Sequence, residues 1–154
     1  EAESQGCITL VRDYDPSIPD VLIDREQMIQ AVLNIVRNAM QAISSQNELR
    51  LGRISLRTRT MRQFTIGHIR HRLVTKIEII DNGPGIPEIA QERVFRLFQT
   101  LTSNDNGGSG IGLALAKRLT ESHGGQIELI SNSERPGCSF HVWWPRFSRK
   151  DIDD

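Results

Sequence analysis

Two long alternating stretches with one glycine between them constrain this chain more than any other feature. From Arg53 to Thr60 and from Arg70 to Ile80 apolar and polar residues alternate, and Gly67 lies between the two runs. Period-two alternation broken by a turn residue predicts a long β-hairpin. Its second strand delivers Asp81 to the end of a sheet, where the Asn82-Gly83 and Pro84-Gly85 pairs must turn the chain sharply.

The remaining segments fall around this hairpin. Cys7 to Asp13 alternates as an edge strand and is stopped by Tyr14-Asp15-Pro16. Asp24 stands three residues before Gln27, the spacing of a helix N-cap with its reciprocal partner, and predicts a helix over Arg25–Ser45. Apolar residues recur there at Met28/Ile29, Val32/Leu33, Ile35/Val36, Ala39/Met40 and Ile43, while Gln30, Asn34, Arg37, Asn38 and Gln41 occupy another face. Ile89 to Phe98 reads as a short helix with Phe95 and Phe98 on one side, and Gln99 to Gly108 has no period and reads as a loop. A further helix starts near Gly110 and stops at His123-Gly124-Gly125, where glycine takes the left-handed cap. Gln126 to Ser131 and Cys138 to Trp144 form a last hairpin around Arg135-Pro136-Gly137, and the charged tail from Ser148 frays. This order predicts an α/β (α+β) two-layer sandwich, its sheet mixed but largely antiparallel, with helices on one face, rather than a doubly wound fold.

At 154 residues one domain is expected. Nineteen basic residues balance nineteen acidic ones, so net charge argues for neither nucleic acid nor an anionic membrane as partner. Apolar runs such as Ala31-Val32-Leu33 fall far short of the ~20 residues of a membrane span, and no signal-peptide pattern is present, so a soluble domain is expected. Cys7 and Cys138 have no metal-ligand spacing and read as small hydrophobes in a reduced, cytoplasmic compartment, a disulfide being the alternative.

Several residues have two readings when taken singly. The second glycine cluster, Gly107-Gly108-Ser109-Gly110-Ile111-Gly112-Leu113, matches neither GxxxxGK[ST] nor GxGxxG. It opens a helix, so its backbone N–H groups can face an anion, though a flexible hinge has the same composition. Asp81 can accept a hydrogen bond from an exocyclic amine, a charge-assisted contact worth roughly 1.5–3 kcal/mol, with Gly83 and Gly85 admitting a flat ring; Asp-Asn-Gly is also ordinary turn chemistry. Asn34 and Asn38 lie one helical turn apart and can offer amide oxygens to Mg²⁺, or form a solvated face. Arg37 can pair with a phosphate or be solvated.

Together the motifs carry more weight than any of them alone. Asn-x-x-x-Asn on a helix, Asp-x-Gly-x-Gly after a strand, Phe-x-x-Phe, and Gly-Gly-x-Gly-Ile-Gly-Leu opening a helix occur in that order. The set resembles the N, G1, F and G2 boxes of the ATP-binding catalytic domain of two-component sensor histidine kinases, relatives of gyrase, Hsp90 and MutL with the Bergerat-type fold. Val32 to Ala42 and Asp81 to Pro87 look most like the nitrogen-regulator (NtrB-type) subgroup. The resemblance implies that Asp81 reads the adenine amine and that Asn34 and Asn38 hold Mg²⁺ and phosphate. It also implies that Gly108, Gly110 and Gly112 border the triphosphate, with Gly83, Gly85, Ile86, Phe98, Ile111 and Leu113 completing the ATP pocket. Gln99 to Gly107 would be the ATP lid. Many relatives carry a basic residue where Gln41 stands, so phosphate charge would fall to Arg37, Mg²⁺ or Arg96.

The activity implied is transfer of the γ-phosphoryl group, with Asn34 and Arg37 in catalytic roles, to a histidine on a separate dimerisation domain. None of His68, His71, His123 and His141 is followed by an acidic residue as a phosphoacceptor typically is, so all read as structural and the phosphoacceptor domain as absent. The implied partners are that dimerisation domain and, through the whole kinase, a response regulator; this chain would be a monomer and its parent a homodimer. A self-contained ATPase is the rival. Those enzymes carry a general-base glutamate where Asn34 stands, and an amide cannot take a proton from water. A nucleotide-sensing module without turnover is the third reading.

Overall fold

The computed structural model describes residues 8–44, 51–96, 112–131 and 137–146. In chain order the elements are β1 (Ile8–Asp13), α1 (Arg25–Ser44), β2 (Gly52–Ile66), β3 (Ile69–Asp81), α2 (Glu88–Gln91), α3 (Gly112–Ser122), β4 (Gln126–Ser131) and β5 (Cys138–Pro145). The strands form one five-stranded sheet in the order β1-β2-β3-β5-β4. Among the described strands the β1–β2 pair is parallel, joined by the crossover through α1, and the other pairs are antiparallel. This is the mixed, largely antiparallel sheet expected.

Local chemistry sets the helix ends. The Asp24 carboxylate accepts from the Gln27 backbone N–H at 3.1 Å, the predicted N-cap. The expected return contact from Gln27 does not form, because its Oε1 is engaged at 2.6 Å by His123 Nε2, which ties the start of α1 to the end of α3. Gly124 takes a positive φ of 79° and Gly125 N–H reaches the Thr120 carbonyl at 2.9 Å, closing α3 as the glycine pair predicts. The helix expected over Ile89–Phe98 is much shorter. After Gln91 the bonds become i to i+3, Arg93 to Ala90 and Arg96 to Arg93, as Val94 and Phe95 turn in toward the sheet.

Burial separates the two sheet faces. Ala31, Ile35, Ala39 and Ile43, each four residues apart, form the buried line of α1. They pack with Ile54, Ile77, Ile79, Phe140, Val142, Trp144 and Ile127 of the strands and with Leu113 and Ala116 of α3. Phe95 meets Phe140 edge-on, with ring centroids 6.0 Å apart.

The opposite face carries Arg57, Lys76, Glu78, His141 and Trp143, yet Trp143 is only 6% exposed and Glu78 8%. Phe64 of the hairpin lies over Trp143, and Lys76, Arg57 and His141 close around Glu78. Both strands are longer than the alternation indicates, and they turn at Gly67-His68 with Gly67 at φ 62°. Trp143 stands beside Lys76, which pairs with Arg59. Phe64 lies five residues further on, about 16 Å along a straight strand, but its ring stacks on Trp143 at 5.5 Å. The hairpin therefore bends back over this face, and Gln63, at φ 52°, breaks the pleat just before Phe64.

The charges on this face lead us to expect an acid-sensitive fold. Burial, followed by the Lys76 charge, holds His141 below the ordinary 6.5 despite the opposing pull of Glu78 and Glu128. Burial pushes Glu78 up, but its hydrogen bond and charge contact with Lys76, with His141 and Arg57 adding, leave it below the ordinary 4.5. Both values are depressed in the folded state, so both groups contribute stability that is complete above the unfolded value and lost as pH falls. The expected order of loss is His141 from about 6.5 downward, followed by Glu78 in the carboxylate range. Urea midpoints should drop between pH 7.5 and 5.5, and His141→Gln should flatten that drop.

Candidate functional site

The site is built where β3 ends beneath the C-terminal half of α1. Asp81 is the last residue of β3 and only 4% exposed. Its Oδ1 accepts from the Gly83 backbone N–H at 2.8 Å, and its Oδ2 accepts from the Cys138 thiol at 3.1 Å. Asn82 pins the following turn to the start of β2: its side-chain oxygen accepts from Arg53 N–H at 2.7 Å and its amide donates to the Leu51 carbonyl at 2.9 Å. Gly85 then takes φ 80°, a conformation that favours glycine. Beyond it Ile86 is buried, its N–H 3.5 Å from Ser131 Oγ and its carbonyl accepting from Gln91.

One line on α1 joins this turn to Gly112, the last glycine of the second cluster. Asn34, Asn38 and Ala42 are spaced four apart, so they stack along a single helix face. A Cβ placed on Gly112, the first residue of α3, would lie 3.9 Å from Asn34 Cβ; one placed on Gly83 would lie 3.5 Å from Ala42 Cβ. The helix face thus runs from the start of α3 to the Asp81 turn, eight residues or about 12 Å.

Asn34 and Asn38 are half-buried on that face, while Arg37 and Gln41 are exposed. Leu113, buried in the first turn of α3, packs into the core next to this end of the site. Phe98, Gly108, Gly110, Ile111 and the Gln99–Gly107 segment lie outside the described residues. Among the described residues no group of three or more His, Cys, Asp or Glu side chains could hold a metal ion. Asn34 and Asn38, one helical turn apart, carry amide oxygens of the kind that could hold Mg²⁺ together with phosphate and water oxygens.

Two contributors escaped the sequence reading. Ala42 forms the wall opposite Gly83, and the signal was its place four residues after Asn38. Cys138 faces Asp81 because Ile80 pairs with Ser139, and the same antiparallel register brings the next two residues opposite each other. No sequence signal marks that register. Cys138 is a free thiol, and burial, followed by the Asp81 charge, pushes it up and keeps it protonated.

Among the described residues no helix is long and apolar enough to cross a membrane. The chain is similar to the sensory histidine kinase/phosphatase NtrB of Vibrio alginolyticus, 45% identical over 131 residues, covering 85% of this chain and 36% of that protein. Its counterpart from Klebsiella oxytoca is 46% identical over 139 residues, covering 90% and 37%. The chain therefore spans little more than a third of these relatives. In fold it resembles a mycobacterial sensor histidine kinase, MprB, with TM-score 0.70 and 26% identity over 95% of this chain and 88% of that one. It also resembles histidine kinase ThkA, solved in complex with response regulator protein TrrA, with TM-score 0.67 and 22% identity over 94% and 36%, a likeness of fold alone. The family model for histidine kinase-, DNA gyrase B-, and HSP90-like ATPases matches residues 23–148, and the chain belongs to that family.

Proposed function

We propose that this chain is the Mg·ATP-binding catalytic part of an NtrB-like sensor histidine kinase, transferring the γ-phosphoryl group to a histidine on a dimerisation domain. The observation that carries this reading is the Asn34–Asn38–Ala42 line, which connects a buried carboxylate at one end with the glycine start of α3 at the other. Asp81 accepts from the adenine amine, and Gly83 and Gly85 leave room for the ring. Asn34 and Asn38 turn their amide oxygens toward the cation and the phosphates. When bound, Mg²⁺ neutralises charge on the phosphoryl oxygens. Arg37, exposed on the neighbouring strip of α1, pairs with phosphate oxygens, and Gly112 with Leu113 sets the start of α3 against them.

An amide at Asn34 cannot activate water, which favours transfer over hydrolysis. Catalysis then consists of holding the phosphate chain in line with an incoming imidazole. The partners are the histidine-bearing dimerisation domain and, through the parent kinase, a response regulator like the one bound by ThkA. In this reading the chain is a cytoplasmic monomer within a homodimeric parent that serves nitrogen regulation.

The test is calorimetric titration with ATP, with and without Mg²⁺, followed by addition of a helical-hairpin phosphoacceptor domain in trans. The expected result is Mg²⁺-strengthened binding, little hydrolysis by the chain alone, and acid-labile phosphohistidine on the added domain. Brisk steady-state hydrolysis without the acceptor would favour an autonomous ATPase. Binding with no phosphohistidine would leave a nucleotide sensor.

A further inference from the structure

The Asp81 carboxylate has two oxygens, and the protein fills one position on each. Gly83 N–H lies 2.8 Å from Oδ1 and the Cys138 Sγ 3.1 Å from Oδ2. Each carboxylate oxygen can accept more than one hydrogen bond, so both contacts can persist while the carboxylate also accepts from a ligand. The two contacts differ in what they fix. Gly83 belongs to the turn that Asp81 itself begins, whereas Cys138 reaches across from β5 and fixes the carboxylate plane relative to the sheet.

We propose that Cys138 is a positioning residue for nucleobase recognition: its thiol donates to Asp81 Oδ2 and so orients the carboxylate toward the exocyclic amine of adenine. This deepens the nucleotide reading above and rests on it. The local backbone is built for the contact. Gly137, at φ 105°, brings the start of β5 so close that a Cβ on it would meet the Asp81 carbonyl oxygen at 1.9 Å. Cys138 is 6% exposed and makes no disulfide, so its thiol stays available as a donor. Burial and the neighbouring carboxylate both disfavour the thiolate, which would be an acceptor facing an acceptor.

A role through Asp81 differs from a packing role in one measurable respect, which is that it matters only for a nucleotide carrying the amine. Dissociation constants for ATP and for purine riboside triphosphate, which lacks that amine, are to be measured by calorimetry on the chain and its Cys138→Ala, Cys138→Ser and Asp81→Asn variants. Cys138→Ala should weaken ATP by on the order of threefold to tenfold, the size of one modest hydrogen bond. It should change purine riboside triphosphate less than about twofold. Cys138→Ser, which restores a donor in a smaller side chain, should bring ATP affinity back to within about twofold of the parent. Equal losses for both nucleotides, no loss for ATP, or no rescue by serine would each overturn the proposal.

Should the alanine variant not fold, the serine variant alone decides. A packing role makes serine weaken both nucleotides alike, and a donor role leaves both unchanged. Asp81→Asn separates the two layers of inference. If it leaves ATP affinity unchanged, the adenine-reading role of Asp81 fails and the role of Cys138 with it; if it weakens ATP while Cys138→Ala does not, only the role of Cys138 fails.

Discussion

Gly137→Ala should destabilise the chain by at least about 3 kcal/mol, among the largest effects of any single methyl group in this fold. Two costs add at this position. Its φ of 105° lies where side chains with a Cβ are strained, and the new Cβ would fall 1.9 Å from the Asp81 carbonyl oxygen, 2.8 Å from its carbon and 2.9 Å from Asn82 Cα. All three are backbone atoms at the junction of β3 and β5, so no rotamer change relieves the clash and the strands must separate. Gly67→Ala is the matched control. Gly67 also has a positive φ, 62°, but a Cβ there meets nothing within 4 Å, so it should cost only about 1 kcal/mol. Urea unfolding of both variants reads the difference, and similar midpoints would show that β5 does not approach Asp81 so closely.

Asp81→Asn should weaken ATP binding by on the order of tenfold or more while leaving the fold intact. The amide keeps the carboxylate's shape, and its oxygen can still accept from Gly83 N–H. Its NH₂ group, however, must replace an oxygen that faces donors, the Cys138 thiol if it takes the Oδ2 place or Gly83 N–H if it takes the other. Turning the amide over only moves the conflict. The lost contact is a charge-assisted one, worth roughly 1.5–3 kcal/mol, which sets the scale of the affinity change. Calorimetry with ATP measures it, and an unchanged constant would remove Asp81 from base recognition.

What the sequence revealed was chiefly local. Asp24 and Gly124 act over three or four residues, and both cap where their chemistry says. The β2–β3 alternation shows a hairpin, but Arg62, Gln63, Arg70 and Arg72 blur its outer half, and no local pattern could show that Phe64 returns to Trp143. Gln27 illustrates the same limit. Its capping spacing is correct, but a histidine 96 positions away competes for its amide. For the candidate site, the placement of Asp81 at the end of β3 and of Asn34 and Asn38 on one face of α1 was legible because each belongs to a spaced motif. The nearness of Cys138 to Asp81 was not, since it follows only from the register of β5 on β3. Residues 97–111, where part of the expected nucleotide contact falls, lie outside the described set.

Gly112 and Gly83 meet the Asn34–Ala42 line of α1 at its opposite ends. Because the two ends of the site are fixed to the same rod, the distance between them is set by helical rise, about 1.5 Å per residue, and not by loop conformation. Under the proposed function this fixed spacing is what would match the site to the length of a bound phosphate chain. Inserting one residue between Asn38 and Ala42 would leave every named side chain present. It would nevertheless turn one end about 100° from the other and take Asn34 and Ala42 off a common face.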